Sequence, residues 1–113
     1  MNQGEIWEIN LNPTTGAEIK KKRPAVIVND NAIGILPLKV IVPITAWKDR
    51  YQGAIWMVRL LPDNENMLTK PSAIDTFQIR SISTKLFLRK VGSVSSIVLD
   101  EIKTAIKAVI DAD

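Results

Sequence analysis

Short apolar runs separated by polar turns follow one another along most of the chain. Residues 5–11 alternate with period two, which places Trp7, Ile9 and Leu11 on one face and Ile6 on the other. This pattern predicts a half-buried strand. Further strands are predicted at residues 24–28, 38–42, 54–60 and 72–80, and a helical turn at 86–88 precedes a short strand at 90–92.

The spacing of apolar residues changes near the C-terminus, where they recur three and four apart at Val98, Ile102, Ala105, Ile106 and Val109. Ser95 or Ser96 is suited to cap this helix, and Asp100 and Glu101 are expected in its first turns, where they complement the helix dipole. The chain is therefore expected to form an α+β fold in which five to seven short strands curl into a small barrel, followed by an amphipathic C-terminal helix.

The composition limits the chemistry that the chain can perform. Its 113 residues predict one domain over residues 1–113, and the absence of cysteine and histidine excludes thiolate nucleophiles and the usual neutral-pH base. The net charge of +3 permits an anionic partner without requiring one. No segment resembles a secretory signal or a membrane span, so a cytoplasmic protein without membrane contact is expected.

A basic loop at residues 16–24 carries Glu18 and Arg23, five positions apart, with Lys20 and Lys22 between them. A carboxylate can take a proton from a hydroxyl, and a guanidinium can hold a phosphate. Cleavage of RNA by its own 2′-hydroxyl needs both functions. Spacing alone, however, favours a solvated loop in which Glu18 is a counter-charge.

A second polar turn is predicted at residues 43–45, after the apolar run that ends at residue 42. The Thr45 hydroxyl can donate a hydrogen bond to a phosphate oxygen, although threonine is also a common turn residue. Asp75, on an otherwise apolar face of the predicted strand, is either an ion-pair partner of Arg59 or Arg80, or a functional group that serves as a second acid/base or as an RNA-binding acceptor for a base edge. Spacing favours the ion pair.

The segment from Trp47 to Tyr51 combines two planar rings with the cations of Lys48 and Arg50. Rings and cations together can stack on and clamp single-stranded nucleic acid. The alternative is that Trp47 is a core or interface residue.

Several short motifs in a fixed order make the chain resemble the MazF/PemK-like toxins of bacterial toxin–antitoxin modules. The matching segments are residues 4–7, 12–13, 16–18, 23–27, 43–45, 78–82 and 91–94. The resemblance implies an SH3-like barrel that forms a homodimer. It also implies a cofactor-free, metal-independent and sequence-specific endoribonuclease that cuts single-stranded RNA to leave a 2′,3′-cyclic phosphate and a 5′-hydroxyl. A cognate antitoxin is implied as well, and an acidic, partly disordered partner would suit the basic loop.

The resemblance also implies roles for individual residues. Arg23 is expected to be the catalytic cation, Thr45 its phosphate-binding companion, and Gln78 a neighbour that contacts RNA or braces the site, with Arg80 close by. Some members place an acid directly before the glutamine, where this chain has Phe77. The general base therefore stays open between Glu18 and Asp75.

Two other functions remain as alternatives. Related barrels of the CcdB type inhibit DNA gyrase through their C-terminal end, but residues 105–113 contain neither tryptophan nor glycine for such a contact. A non-catalytic RNA-binding barrel would bind RNA in a salt-dependent way without cutting it.

Overall fold

The computed structural model describes residues 1–11, 22–34 and 37–113. Its strands are β1 (Glu5–Asn10), β2 (Lys22–Ile27), β3 (Leu38–Ala46), β4 (Met57–Leu60), β5 (Ser72–Asp75), β6 (Arg80–Ser83) and β7 (Phe87–Ser93). Three 3₁₀ turns cover Asp49–Tyr51, Thr76–Gln78 and Thr84–Leu86, and helix α1 covers Ser96–Val109. The helix of the described chain is not both long and apolar enough to cross a lipid bilayer.

All strand pairs in the sheet are antiparallel, and the strand order is β4-β5-β3-β2-β1-β7. The long strand β3 pairs with β2 on one side, and on the other with β6 through its first half and β5 through its second half. No pairing of β4 with β7 closes the sheet among the described residues. The predicted α+β fold, with a barrel-like sheet and a C-terminal helix, is confirmed.

The sheet has a hydrophobic cluster on each face. Alternate residues such as Val26, Val42 and Ile74 pack with Ile102 of α1. On the opposite face, the second cluster comprises Ile9, Ala25, Ile27, Ile41, Ile82 and Phe87. Hydrophobic side chains therefore cover both faces of the central strands β1, β2 and β3.

Strand β1 shows the consequence of two clusters. Ile6 and Ile9 are both fully buried, but they belong to different clusters. Trp7 and Leu11 pack against the cluster that contains Ile9, as the alternation predicts. The prediction that the strand is only half-buried is wrong, because a second core forms on the face away from the helix.

Several predicted boundaries also need correction. Strand β3 does not end before Pro43 but continues to Ala46, so Thr45 lies in a strand and not in a turn. On the side of β6 and β5, the pairing of β3 stops at Ile41 and resumes at Ile44, so the missing N–H of Pro43 falls in a gap between the two ladders.

The predicted strand at residues 72–80 is interrupted. It divides into β5, a 3₁₀ turn and β6, because Thr76 N and Oγ1 both donate to Trp56 O, at 3.1 and 2.7 Å. Asp75 is buried as a result, whereas Phe77 is 70% exposed, so the two do not share a face.

Other differences lie at the ends of elements. Strand β4 is shorter than the strand predicted at residues 54–60, and β7 is longer than the one predicted at residues 90–92. The helical turn predicted at residues 86–88 ends at Leu86. The Ser95 cap is confirmed by its hydrogen bond from Val98 N, but the first turn of α1 contains no acidic residue. Most of the predicted basic loop lies outside the described residues, and β2 already begins at Lys22.

Candidate active site

Arg23 and Thr45 meet on the face of the sheet that is opposite the helix. The register that pairs Ala25 with Pro43, continued by two residues, places Arg23 across from Thr45. Arg23 Nη1 donates to Thr45 Oγ1 at 3.2 Å. Because Pro24 follows directly in the strand, it restricts the backbone of Arg23 to extended conformations. The guanidinium is thus held at the end of a rigid element while staying exposed to solvent.

The Arg23–Thr45 pair separates two cavities and lines both. One, of about 360 Å³, also includes Lys22, Thr69 and Lys70. The other, of about 300 Å³, is lined by Leu11, Pro43, Lys48, Tyr51, Asp75 and Gln78 as well. Cationic side chains therefore lie on both sides of the pair, an arrangement that suits a polyanion passing over it.

Asp75 does not form the ion pair with Arg59 or Arg80 that spacing favours. Within the described residues its carboxylate accepts two hydrogen bonds, from Phe77 N at 3.1 Å and from Gln78 Nε2 at 2.7 Å. It ends strand β5 and is 8% exposed. The carboxylate thus caps the following turn and holds the Gln78 side chain beside the cavity.

The Trp47–Tyr51 segment forms a cluster of rings and cations. The two rings contact edge to face, with centroids 5.9 Å apart. The guanidinium of Arg50 lies 5.5 Å from the Tyr51 ring centroid, and that of Arg59, on β4, lies 4.8 Å from the Trp47 centroid. The segment is anchored by the hydrogen bond from Trp47 N to Pro71 O at 3.1 Å, next to Lys70.

The remaining predicted residues are distributed as follows. Lys48 and Gln78 line the smaller cavity, and Lys22 lines the larger one. Arg80 lies on β6 across from Ile41 and lines neither cavity. Glu18 and Lys20 lie outside the described residues.

The fold adds to this region three polar or cationic residues that no sequence pattern indicates: Thr69, Lys70 and, as a partner of Trp47, Arg59. No local motif marks them, because they reach the region through pairing of β3 with β5 and of β5 with β4. Within the described chain no group of three or more carboxylates converges as a metal site would require.

Comparison with known proteins agrees with this architecture. Residues 2–110 match the family of PemK-like, MazF-like toxins of type II toxin–antitoxin systems. The chain is 30% identical to Endoribonuclease MazF9 of Mycobacterium tuberculosis, over 98% of this chain and 97% of that protein.

Solved structures show the same fold. The Mycobacterium tuberculosis toxin MazF-mt6 superposes with a TM-score of 0.77 at 22% identity, covering 96% of this chain and 98% of that one. MazF in a MazE–MazF structure from Deinococcus radiodurans superposes with a TM-score of 0.79 at 19% identity, covering 100% and 97%. The family match decides between the endoribonuclease and gyrase-inhibitor alternatives, and the chain belongs to the PemK-like, MazF-like endoribonuclease toxins of type II toxin–antitoxin systems.

Proposed function

We propose that this chain cleaves single-stranded RNA without a metal ion, and that Arg23 and Thr45 hold the scissile phosphate. The observation that carries the proposal is the 3.2 Å hydrogen bond between these side chains on the ridge between two cavities. A guanidinium has five N–H donors, and Thr45 accepts from one of its nitrogens, so other donors remain for two phosphate oxygens. The two cavities then accommodate the nucleotides on either side of that phosphate.

In the proposed reaction the 2′-oxygen attacks the adjacent phosphorus while the bond to the 5′-oxygen breaks. The products are a 2′,3′-cyclic phosphate and a 5′-hydroxyl. The proton lost by the 2′-hydroxyl is balanced by the one that the 5′-oxygen gains, so this step consumes no water. Arg23 stabilises the negative charge that develops on the phosphate oxygens in the transition state.

We assign the general base to Glu18 and not to Asp75. Both carboxylate oxygens of Asp75 accept hydrogen bonds from the protein, and the group is almost fully buried. A base must reach the 2′-hydroxyl directly or through one water, which favours a carboxylate with a free oxygen. Glu18 is the other carboxylate that the sequence motif supplies.

The ring and cation cluster is proposed to bind bases. Trp47 and Tyr51 offer ring faces for stacking, and Arg50 and Arg59 add positive charge beside them. Lys22, Lys48 and Lys70 contribute electrostatic attraction for the RNA backbone.

The proposed partners follow from the family and from the surface. We propose a homodimer whose interface includes the apolar patch Ile55, Trp56, Phe77, Val109 and Ile110. Ile55 and Phe77 are each 70% exposed, and the Trp56 and Phe77 ring centroids are 6.5 Å apart. A groove of about 230 Å³ is lined by Ile55, Trp56, Phe77, Ala108 and Val109. Exposed apolar side chains grouped in this way are typical of association surfaces. An acidic, partly disordered antitoxin and a cytoplasmic location, where messenger RNA is found, complete the proposal.

RNA cleavage in EDTA tests the catalytic proposal. Purified protein is incubated with a long single-stranded RNA, and the new ends are mapped by ligation that requires a 5′-hydroxyl. Cleavage is expected to persist in EDTA and to fall by about 100-fold or more in Arg23→Ala. The matched control is Arg89→Ala, which removes the same charge from an exposed ion pair with Glu8 and is expected to cleave normally.

Two outcomes would reject the proposal. Intact RNA at excess protein, with salt-dependent binding, would identify a non-catalytic RNA-binding barrel. Full activity of Arg23→Ala would show that the phosphate is held elsewhere. The dimer is tested separately by sedimentation equilibrium, in which Phe77→Glu is expected to yield monomers while Leu88→Glu, also at an exposed apolar residue, does not.

A further inference from the structure

The side-chain amide of Gln78 is held in one orientation by Asp75. Gln78 Nε2 donates to Asp75 Oδ2 at 2.7 Å, while Asp75 Oδ1 accepts from Phe77 N at 3.1 Å. The turn that carries both residues is itself anchored, because Thr76 N and Oγ1 donate to Trp56 O. Asp75 is therefore a buried acceptor on a fixed backbone, and Gln78 is the exposed group that it orients.

The chemistry of the two groups determines which end of the amide faces the cavity. An ionised carboxylate can only accept hydrogen bonds, so the NH₂ end of Gln78 must face Asp75. The carbonyl oxygen Oε1 then points away from Asp75, and in the described part of the chain no group donates to it. Gln78 lines the smaller cavity together with Arg23 and Thr45, next to the proposed phosphate site.

We propose that Asp75 is a positioning residue that presents the Gln78 oxygen to the RNA, and that Gln78 thereby selects a base with an amino group at C6 of a purine or at C4 of a pyrimidine. Adenine and cytosine offer an amine that donates to this oxygen. Guanine and uracil carry a carbonyl at the corresponding position, which would oppose it. This inference rests on the proposed function, because the base subsite adjoins the proposed phosphate site. A well-formed side-chain contact to a base edge corresponds to about 5- to 150-fold discrimination.

The arrangement predicts that one atom replacement reverses the preference. In Asp75→Asn, one oxygen still accepts from Phe77 N, and asparagine also caps turns well. The new NH₂ group replaces Oδ2 and must donate. Gln78 then has to turn its oxygen toward it, which presents the Gln78 NH₂ group to the cavity. A donor there favours the carbonyls of guanine and uracil.

The experiment uses a randomised RNA pool. Relative kcat/KM values for each base at each position around the cut are obtained by sequencing the products of competitive cleavage. Binding of the same pool with 2′-deoxynucleotides, which cannot be cleaved by this route, gives the preference independently of catalysis. The wild type is expected to prefer adenine or cytosine at one position, and Asp75→Asn to prefer guanine or uracil there. The double variant Asp75→Asn/Gln78→Glu restores an acceptor and is expected to restore the original preference.

Further variants separate orientation from structural damage or catalysis. Gln78→Ala is expected to flatten the preference without reversing it, and thermal unfolding checks that each variant is folded. An unchanged base preference in Asp75→Asn overturns the inference. If the cleavage rate on a single RNA, measured without competition, then also falls, Asp75 acts in catalysis instead, as the general base. A wild type that cuts RNA with no preference for adenine or cytosine overturns the inference but leaves the proposed function intact. A wild type that neither cuts nor binds the pool overturns both.

Discussion

Gly92→Ala is expected to destabilise the protein strongly, because β7 lies against the backbone of the turn at residues 63–66. A Cβ at residue 92 would lie 2.5 Å from Glu65 O and 2.7 Å from Asn66 O. These are backbone atoms, which cannot rotate away as a flexible side chain can. The buried Asn66 side chain stiffens the turn further, since it accepts from Asp63 N and Leu68 N.

The size of the effect follows from the distances. Ordinary contact begins at 3.4 Å, so the turn must retreat by about 0.9 Å from the new carbon (3.4 minus 2.5). That shift removes the hydrogen bond from Ser93 N to Glu65 O, now 3.0 Å. Overpacking costs about 1–3 kcal/mol and the lost bond about 1 kcal/mol, or about 2–4 kcal/mol together. At about 2.1 cal/mol/K per residue, Tm is expected to fall by about 8–17 °C.

Urea unfolding followed by far-ultraviolet circular dichroism measures this change. The matched control is Gly53→Ala, where φ is +88° but no atom lies within 4 Å of the new Cβ. The control incurs only the cost of the left-handed backbone, about 1–2 kcal/mol. A free energy of unfolding for Gly92→Ala within about 0.5 kcal/mol of the wild-type value would refute the predicted steric clash, because that margin is typical of neutral surface substitutions. The clash is also refuted if Gly92→Ala is no less stable than Gly53→Ala.

Three further predictions concern the site and the pH dependence. Thr45→Val removes the acceptor of the Arg23 guanidinium and is expected to lower kcat/KM by about 10- to 150-fold, the effect of one charged hydrogen bond, in a cleavage assay. Lys70→Ala is expected to reduce the slope of log K against log salt for single-stranded RNA by about 0.7 in titrations. Burial alone would raise the pKa of Glu5, but hydrogen bonds, chiefly from Trp7, and nearby positive charges including Lys90 lower it below its usual 4.5. The resulting stabilisation is complete above pH 4.5, the unfolded value, and is lost as the pH falls through the lower pKa of the folded state. On lowering the pH through this range, the free energy of unfolding is therefore expected to decrease less in Glu5→Gln than in the wild type.

Each of these has its own control. Thr45→Ser keeps the hydroxyl and should retain most of the activity, whereas equal losses in both variants would contradict the hydrogen-bond argument. Lys85→Ala removes an exposed charge outside both cavities and should leave the salt slope unchanged. Parallel acid unfolding curves for Glu5→Gln and the wild type would show that Glu5 does not contribute.

Local patterns predicted some elements well. Helix α1 has an apolar stripe at helical spacing and a serine cap, and both signals lie within one segment. By contrast, the alternation at residues 72–80 continues through a break, because the turn at Thr76 is set by the carbonyl of Trp56, twenty residues earlier. A pattern confined to a few neighbouring residues contains no information about that contact.

The candidate site likewise combines features that local patterns predict with features that depend on contacts distant in sequence. Local patterns and the motif order together led to Arg23, Thr45, Gln78 and the two candidate carboxylates, although the local pattern placed Thr45 in a turn. Spacing suggested an ion pair for Asp75, whereas in the structure that carboxylate accepts a hydrogen bond from Gln78. Lys70 has no sequence signal at all, since it reaches the cavity only through the pairing of β5 with β3.

By itself, the sequence determined the α+β class, the capped C-terminal helix, the family and the residue types available for chemistry, because these depend on local periodicity, composition and ordered motifs. Only the tertiary structure decided that Arg23 donates to Thr45, that cations from three separate segments surround this pair, and that Asp75 orients Gln78. Those relations depend on strand register and on the division of β3 between its two partners β6 and β5. Register is fixed by cooperative packing of both faces of the sheet, a property of the whole chain and not of any one segment.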